Sequence, residues 1–449
     1  MSKSPGRILA VLMALSLVAV ACGSDKDDAG GDNDGGATTT TAAAKIDYKA
    51  IGLWNDGPCD KAKPPLVIGL MTVFQSPLLS LKDQATALEV AAKAFNARGG
   101  ANGTCIEVHT CDDGANIDQA VACVKTLDKA GVVATVNDQG TAGQADVAAA
   151  MVKAKIPRVA SNVTQEDWAD PNAYPRDASG TGVVFLMPQA LIEAGATKIG
   201  LIRVDLAEAS ALVGLLSDAY KGKATFPYDA GVPAGTTDYN QFILGAQAKG
   251  TEGVALALGE NEAVQVVRAG QQLDTEQLIG SSLGTFSHKS VADYGDFSKQ
   301  MVFIWSYPPA TADLPVYEAL RADLAASGDD ALQPENLKAS PMRSWIGLYA
   351  LLKMMRDAKM TTFTGEGISK MLNAAKDVPM LGIFGGENWT PSLNHPGIYK
   401  RAGTNHWAVY DWVPDATSPA GKGNFVEKAK ISFDEVLCGT IFGAPPETC

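Results

Sequence analysis

The sequence predicts an α/β protein built as two doubly wound parallel-sheet lobes joined by a hinge. Three observations lead there. From Pro65 onward, short apolar runs alternate with segments of helical period. The series breaks at Tyr174-Pro175-Arg176-Asp177 and again at Pro308-Pro309, leaving two halves and a return segment. A chain of 449 residues is long enough for two cores.

The first element is a leader. Lys3 and Arg7 supply a positive flank, and Ile8 to Val20 is apolar except for Ser16. Small or slim residues, Ala19-Val20-Ala21, precede Cys22. The stretch is short for a membrane span and carries the flanks of a cleaved signal. It resembles the lipobox of secreted bacterial lipoproteins, in which the cysteine becomes the N-terminus and carries lipid. An ordinary secretory signal cut near Ala21, with Cys22 incidental, is the alternative. Residues 22–45 are Gly, Asp, Thr and Ala with almost no apolar bulk, too little to offset ordering entropy. As a flexible coil this tether spans roughly 25 Å.

The wound series follows. Leu66 to Met71 is a continuous apolar run, as a buried parallel strand requires. Ala85 to Phe95 has helical spacing and stops at Asn96-Ala97-Arg98-Gly99-Gly100. Strand 106–110, helix 117–130, strand 132–136, helix 145–154 and strand 158–160 complete the first half. Beyond Asp177 come helix 183–195, strand 198–204, helix 210–221, strand 224–228 and helix 239–249. Strand 254–258, helix 262–273, and strands 277–280 and 301–306 close the second half. Met342 to Ala358 reads as a long apolar helix, and Ile368 to Ala375 as another. His406 to Trp412 alternates and reads as a late, half-exposed strand. The expected division is leader 1–21, tether 22–45, lobe 1 at 60–180 with a return near 310–390, lobe 2 at 181–307 with a return near 395–435, and a tail at 436–449.

Formal net charge is −13, and loss of Lys3 and Arg7 with the leader makes it more negative. That balance argues against nucleic acid and anionic lipid as partners. Beyond Cys22, six cysteines remain, an even number that implies three disulfides among 15 connectivities. Cys105 and Cys111 sit six apart on one strand, too far to bond each other. The favoured set is Cys59–Cys105, Cys111–Cys123 and Cys438–Cys449. A zinc site is not expected. Paired C-x-x-C units are missing, and His109, His288, His395 and His406 are scattered.

Two lobes of this type leave a cleft at the carboxyl ends of their strands, where a ligand sits. One motif offers different chemistry. Gly280-Ser281-Ser282-Leu283-Gly284 matches G-x-S-x-G, which in a serine hydrolase makes Ser282 a nucleophile with His395 or His406 downstream. No segment of HGGG type supplies an oxyanion hole, so the chain is not expected to be an enzyme.

The order of parts resembles the leucine/isoleucine/valine-binding-protein family, the type I solute-binding proteins of ABC importers. The resemblance rests on Ile68-Gly69-Leu70-Met71 with the Phe74-Gln75-Ser76-Pro77 loop and on Ala92 with Asn96 to Gly103. Cys111-Asp112-Asp113-Gly114 opening the helix to Cys123, and Pro157 to Ser161 followed by Thr164, complete it. It implies a two-lobed trap that closes on a solute and presents itself to a membrane permease. It also implies a ligand set. Phe74, Gln75, Asp138, Gln139, Gly140, Thr141, Asn162, Val163 and Thr164 would come from lobe 1, and Asp205, Glu208, Glu260, Asn261 and Ser282 from lobe 2. Amino-acid-binding members have a serine-rich stretch where this chain has Asp138-Gln139-Gly140. The resemblance therefore leaves the ligand open between an amino acid and another small polar or aromatic compound, with Phe74, Trp168 or Trp305 as stacking surfaces. Expected partners are that solute, an ABC permease and the membrane reached through lipidated Cys22. The chain is expected to be a monomer without cofactor, metal or nucleic acid. A ligand-sensing lipoprotein without transport is the second reading.

Overall fold

The structure, a computed structural model, describes residues 46–76, 80–140, 143–161, 169–205, 209, 212–397, 400–401, 403–414, 423–440 and 443–449, without the Ser179 side chain. Its elements run in chain order as α1 (Tyr48–Ile51), β1 (Leu66–Thr72), α2 (Lys82–Asn96), β2 (Ile106–Asp112), α3 (Ile117–Lys129), β3 (Ala134–Val136), α4 (Gln144–Ala154), β4 (Arg158–Val159) and β5 (Ala173–Tyr174). There follow α5 (Ser179–Glu193), β6 (Lys198–Val204), α6 (Leu212–Ala219), β7 (Thr225–Val232), α7 (Asn240–Ala248), β8 (Gly253–Ala257), α8 (Glu260–Gln272), β9 (Leu278–Ser282), α9 (His288–Ala292) and β10 (Met301–Trp305). The return segment holds α10 (Pro315–Ala325), α11 (Ala339–Asp357), α12 (Gly365–Ala374), β11 (His406–Val413), β12 (Asn424–Ser432) and α13 (Phe433–Leu437).

These strands form two sheets, as the alternating periods predict. The first is parallel throughout, in the order β2-β1-β3-β4-β5. The second runs β12-β11-β10-β9-β8-β6-β7. Its strands β7, β6, β8, β9 and β10 are parallel, whereas β11 and β12 join antiparallel. The last two strands therefore depart from a purely parallel lobe. β11 also departs from the half-exposed strand that its alternation predicts. It lies between β10 and β12, and Trp407, Val409, Tyr410 and Trp412 are buried. The solvated edge falls to β12, whose Glu427, Lys428 and Lys430 take the exposed positions that the pattern assigned to β11.

Helix α2 shows how the first sheet is covered. Ala85, Leu88, Ala92 and Phe95 recur at helical spacing and are buried. The helix stops where the chain turns left-handed at Gly99 and Gly100. A Cβ on Gly100 would sit 2.2 Å from the Thr104 carbonyl oxygen, so no other residue fits there. After β10 the chain crosses back and lays α10 and α11 on α2. Helix α11 is buried over most of its length. Its Trp345 and Tyr349 stack at 5.7 Å, with Phe95 of α2 5.2 Å from Trp345. Such pairs add about 0.5–1.5 kcal/mol each beyond area burial. Arg98 clamps Asp323 of α10 with two bonds of 2.7 Å, and Trp345 Nε1 donates to the same carboxylate at 2.9 Å.

In the second sheet α5 is the covering helix. It is apolar on nearly every face and packs on β8, β9 and β10. Gly182 lets Trp407 lie against it, because a Cβ there would come within 2.3 Å of the indole. The cysteines pair as Cys59–Cys105, Cys111–Cys123 and Cys438–Cys449, with Cα separations of 5.0, 5.7 and 5.7 Å. Among the described residues no helix is long and apolar enough to cross a membrane.

Candidate functional site

Strand ends set the geometry of the cleft. On the first sheet, β3 ends at Val136 and the chain turns left-handed at Asn137. Asp138 then folds beneath the loop. It accepts from the Met71 N–H at 3.0 Å and from the Thr135 hydroxyl at 2.5 Å, and lies 3.5 Å from Arg158. Both members of that ion pair have fully buried side chains. Buried charges are tolerated only when paired in this way. The loop is held further where Gln139 N–H donates to the Met71 carbonyl at 3.2 Å. Gln139 is thereby left facing the cleft, while Gly140 is buried and pressed against the Gln144 amide.

Helix α11 is tied to the same wall. Asn137 Nδ2 donates to the Ser344 hydroxyl at 2.9 Å and to the Ser340 carbonyl at 3.1 Å. The Ser344 hydroxyl donates to the Gln84 carbonyl at 2.9 Å. From the second sheet, β8 leads through Gly259 into α8, and β9 ends at Ser281 and Ser282. Between these parts lies a cavity of about 330 Å³, lined by Leu81, Gln139, Val183, Ser282, Trp305 and Arg343 among others. A second, of about 320 Å³, adjoins it and shares Leu81, Glu260, Gly284 and Ser340. Ser80, Asp83, Asn261 and Lys338 complete its wall.

The electrostatics differ at the two ends. At the mouth Lys338 pairs with Glu260, both side chains 36% exposed. Burial pushes the nearby Asp83 carboxyl above its usual range; the Gln84 N–H and Lys338 oppose that shift, and Glu260 reinforces it. At the floor Arg343 donates to Asp177 at 3.3 Å, and Asp177 also accepts from the Ser306 hydroxyl at 2.5 Å. Asp177 and Ser306 lie on the first two of the three crossovers between the lobes, so the floor is also the waist. Arg176 stacks on Phe384 at 4.0 Å, where burial pushes its guanidinium below its ordinary pKa.

The structure brings Gln139, Glu260, Asn261 and Ser282 together around the cleft. Phe74 and Gln75 stand apart from both cavities; Phe74 N–H instead donates to Asp112 at 2.9 Å. Asp205 is exposed at the end of β6, outside either lining. Thr141, Asn162, Val163, Thr164, Trp168, Glu208 and Cys22 lie outside the described residues. The wall also contains Leu81, Asp83, Val183, Lys338, Ser340 and Arg343, which sequence reasoning passed over. One signal was available: Arg343 is a charge set inside an apolar helical stripe, and such a charge needs a partner. Ser282, the residue of the hydrolase motif, accepts from the Gly284 N–H at 3.1 Å. The two histidines proposed to serve it are engaged elsewhere. His395 bonds Asp434 and the Gly403 carbonyl, and His406 pairs with Glu387.

The family model described as periplasmic binding protein matches residues 65–411. No curated protein matches the chain. Among solved structures, it is similar to the fatty acid ABC transporter substrate-binding protein from Thermomonospora curvata. The TM-score is 0.67 at 16% identity, over 83% of this chain and 94% of that one. It is similar also to a solute-binding protein of an ABC transporter from Rhodopseudomonas palustris HaA2 in complex with p-hydroxybenzoic acid. Here the TM-score is 0.65 at 16% identity, with 82% and 97% covered. A branched-chain amino acid transporter substrate-binding protein from Streptococcus pneumoniae, in complex with isoleucine, gives a TM-score of 0.59 at 15% identity, with 81% and 100% covered. At these identities the likeness is one of fold.

Proposed function

We propose that this chain, which belongs to the periplasmic binding protein family, captures a small molecule between its two lobes and delivers it to an ABC importer. The observation that carries the reading is the pair of adjoining cavities, walled by strand ends and helix starts from both sheets. Concave sites between two lobes where several polar groups converge are where small ligands sit. The action needs no covalent chemistry. A solute that touches both lobes binds the closed arrangement better than the open one and shifts the population toward it. Closure then displays a surface that a permease can read.

In this reading the leader is removed and lipidated Cys22 holds the protein outside the cytoplasmic membrane by the 22–45 tether. Gln139, Glu260, Asn261 and Ser282 contact the solute. Thr141, Asn162, Val163, Thr164 and Glu208 are assigned to the same task by resemblance to the leucine/isoleucine/valine-binding proteins. The similar structures are the binding protein of a fatty acid transporter and binding proteins in complex with p-hydroxybenzoic acid and with isoleucine. This chain's solute is proposed to belong to that range of small organic molecules.

The test is a thermal-shift screen of the full-length protein against amino acids, aromatic acids, fatty acids, amides and polyols, followed by small-angle scattering. A ligand raises the melting temperature with ln(1 + [L]/Kd). The expected result is a smaller radius of gyration at saturation with the stabilising solute. An unchanged radius at saturation counts against closure, and no stabilising solute across the panel counts against the receptor reading itself.

A further inference from the structure

We propose that His288 is an acid-sensitive pin at the waist. Neutral, it locks the second sheet to the segment that starts α11; protonated, it releases that segment and lets the two lobes part. In the receptor reading above, acid would then free the solute. The pin itself is tested without any solute.

The ring is fixed by three pieces of the second lobe. His288 opens α9 and is buried. Its Nε2 lies 2.6 Å from the Gly423 carbonyl, just before β12. A carbonyl oxygen can only accept, so the proton sits on Nε2 and Nδ1 is left as an acceptor. No donor reaches Nδ1 among the described residues. Trp412 of β11 and Phe425 of β12 pack edge-on to the imidazole, at 4.8 and 6.3 Å between ring centres. There is no slack on that side, since a Cβ on Gly423 would come within 2.5 Å of the Trp412 indole.

The same residues reach across the waist. Thr311, on the second crossover, donates to Asn424 Oδ1 at 2.8 Å, next to Gly423. The Lys289 N–H donates to the Glu335 carbonyl at 3.0 Å, shortly before α11 begins. Phe286, His288 and Phe425 then meet Leu337, Ala339 and Met342 around a small cavity of about 20 Å³. Helix α11 continues from there onto α2 of the first lobe. His288 thus stands where the second lobe grips an element seated on the first.

A second proton would make the ring a cation and turn Nδ1 into a donor with no acceptor, which is costly in a buried place. No carboxylate among the described residues stands against it. Lys338 is the one charged side chain in the wall of the small cavity, and the crossover offers Pro309, Ala310 and Thr311 there. On α9 itself Lys289 follows, and Asp293 lies at the other end of the helix. Glu335 is exposed and gives α9 only its backbone carbonyl. Burial accordingly pushes the His288 ring below its ordinary 6.5, and the Gly423 carbonyl opposes that shift. The sign follows. The contribution of the neutral ring to the native state is full above 6.5 and is lost as pH falls through the folded value. A ring that leaves for water takes the Gly423 bond with it and unpacks the seam between β12 and the start of α11.

The experiment compares the full-length protein with His288→Gln, both without solute, from about pH 7.5 to about pH 4.5. Glutamine can donate to Gly423 and cannot become charged. Proton NMR of the histidine rings follows protonation, and the signal absent from the variant belongs to His288. Small-angle scattering on the same samples reads the radius of gyration. The wild-type radius is expected to rise as the His288 signal moves, while the variant keeps its neutral-pH radius. The wild-type melting temperature should also fall more steeply with acid. All other titrating groups are present in both proteins, so the difference belongs to His288. Equal expansion of the variant overturns the pin, as does a His288 signal that moves with no change in radius. Should the variant fail to fold at neutral pH, the wild type decides: coincident midpoints for ring and radius support the pin, and separate midpoints overturn it. Failure of the pin leaves the receptor reading standing, because no solute enters this test.

Discussion

Replacing Asp138 separates two roles that its position allows. It sits in the loop after β3, where resemblance placed a ligand contact, yet its side chain is fully buried against Arg158. If its work is structural, Asp138→Ala removes acceptors for the Met71 N–H and the Thr135 hydroxyl and takes a buried carboxylate from beside the Arg158 charge. Breaking a buried pair from one side costs about 3–5 kcal/mol. That is a large part of the roughly 5–15 kcal/mol that holds a domain together. With an m-value of about 3 kcal/mol/M, the urea midpoint should fall by about 1–1.7 M. Urea denaturation followed by tryptophan fluorescence reads this directly. Adding Arg158→Met to Asp138→Ala should recover part of the loss, because the buried charge goes too. A midpoint unchanged to within about 0.3 M, together with lost solute binding, would refute the argument and make Asp138 a ligand contact after all.

Three further outcomes follow from local physics. Gly100→Ala forces a Cβ into the Thr104 carbonyl at a φ of +53° and should lower stability by about 2 kcal/mol or more, read as a urea-midpoint shift. Cys111→Ala with Cys123→Ala opens a link across 12 residues and should cost about 2–3 kcal/mol; an equal melting temperature with and without the disulfide would contradict this. Asp83→Asn should raise the melting temperature at pH 7 and leave it nearly unchanged at pH 3. Burial lifts the Asp83 carboxyl above its ordinary 3.8, so its contribution to the native state is full below 3.8 and lost as pH rises through the folded value. Melting curves across that window test the sign, and destabilisation at pH 7 would reverse it.

Much of the architecture is legible in the sequence because buried parallel strands are written as unbroken apolar runs. β1, β6 and β8 are of this kind, and each is followed by a helix with an evident stripe. β5 is two residues long and carries no such signal. α10 was passed over although Pro315 stands at its first position, a usual mark of a helix start. The cleft divides along the same line. Gln139, Glu260 and Ser282 follow strand ends, so local order places them. Lys338, Ser340 and Arg343 reach the cleft only because the chain crosses the waist twice and seats α11 on α2. No local pattern encodes that return. Asp138 is the instructive case. A polar loop residue reads as a contact, and nothing nearby announces that Arg158, on the adjoining strand, lies against its carboxylate.

The waist accounts for why an arginine so far along the chain can stand in the wall of a cleft built from strand ends. Asp177 belongs to the first crossover, Ser306 to the second, and Arg343 to the helix laid down after it. The Ser306 hydroxyl and one nitrogen of the Arg343 guanidinium both donate to the Asp177 carboxylate. A free arginine gives up roughly 2 kcal/mol of rotamer entropy when it is fixed. Here that loss occurs on folding, since Asp177 and the Trp305 and Tyr307 rings, 5.7 and 5.6 Å away, already hold the group. The Lys338–Glu260 pair at the mouth is different. Half exposed and screened by salt, it contributes about 0–1 kcal/mol and suits a rim that opens and shuts. In the proposed reading the floor is set on folding and exchange is governed at the rim.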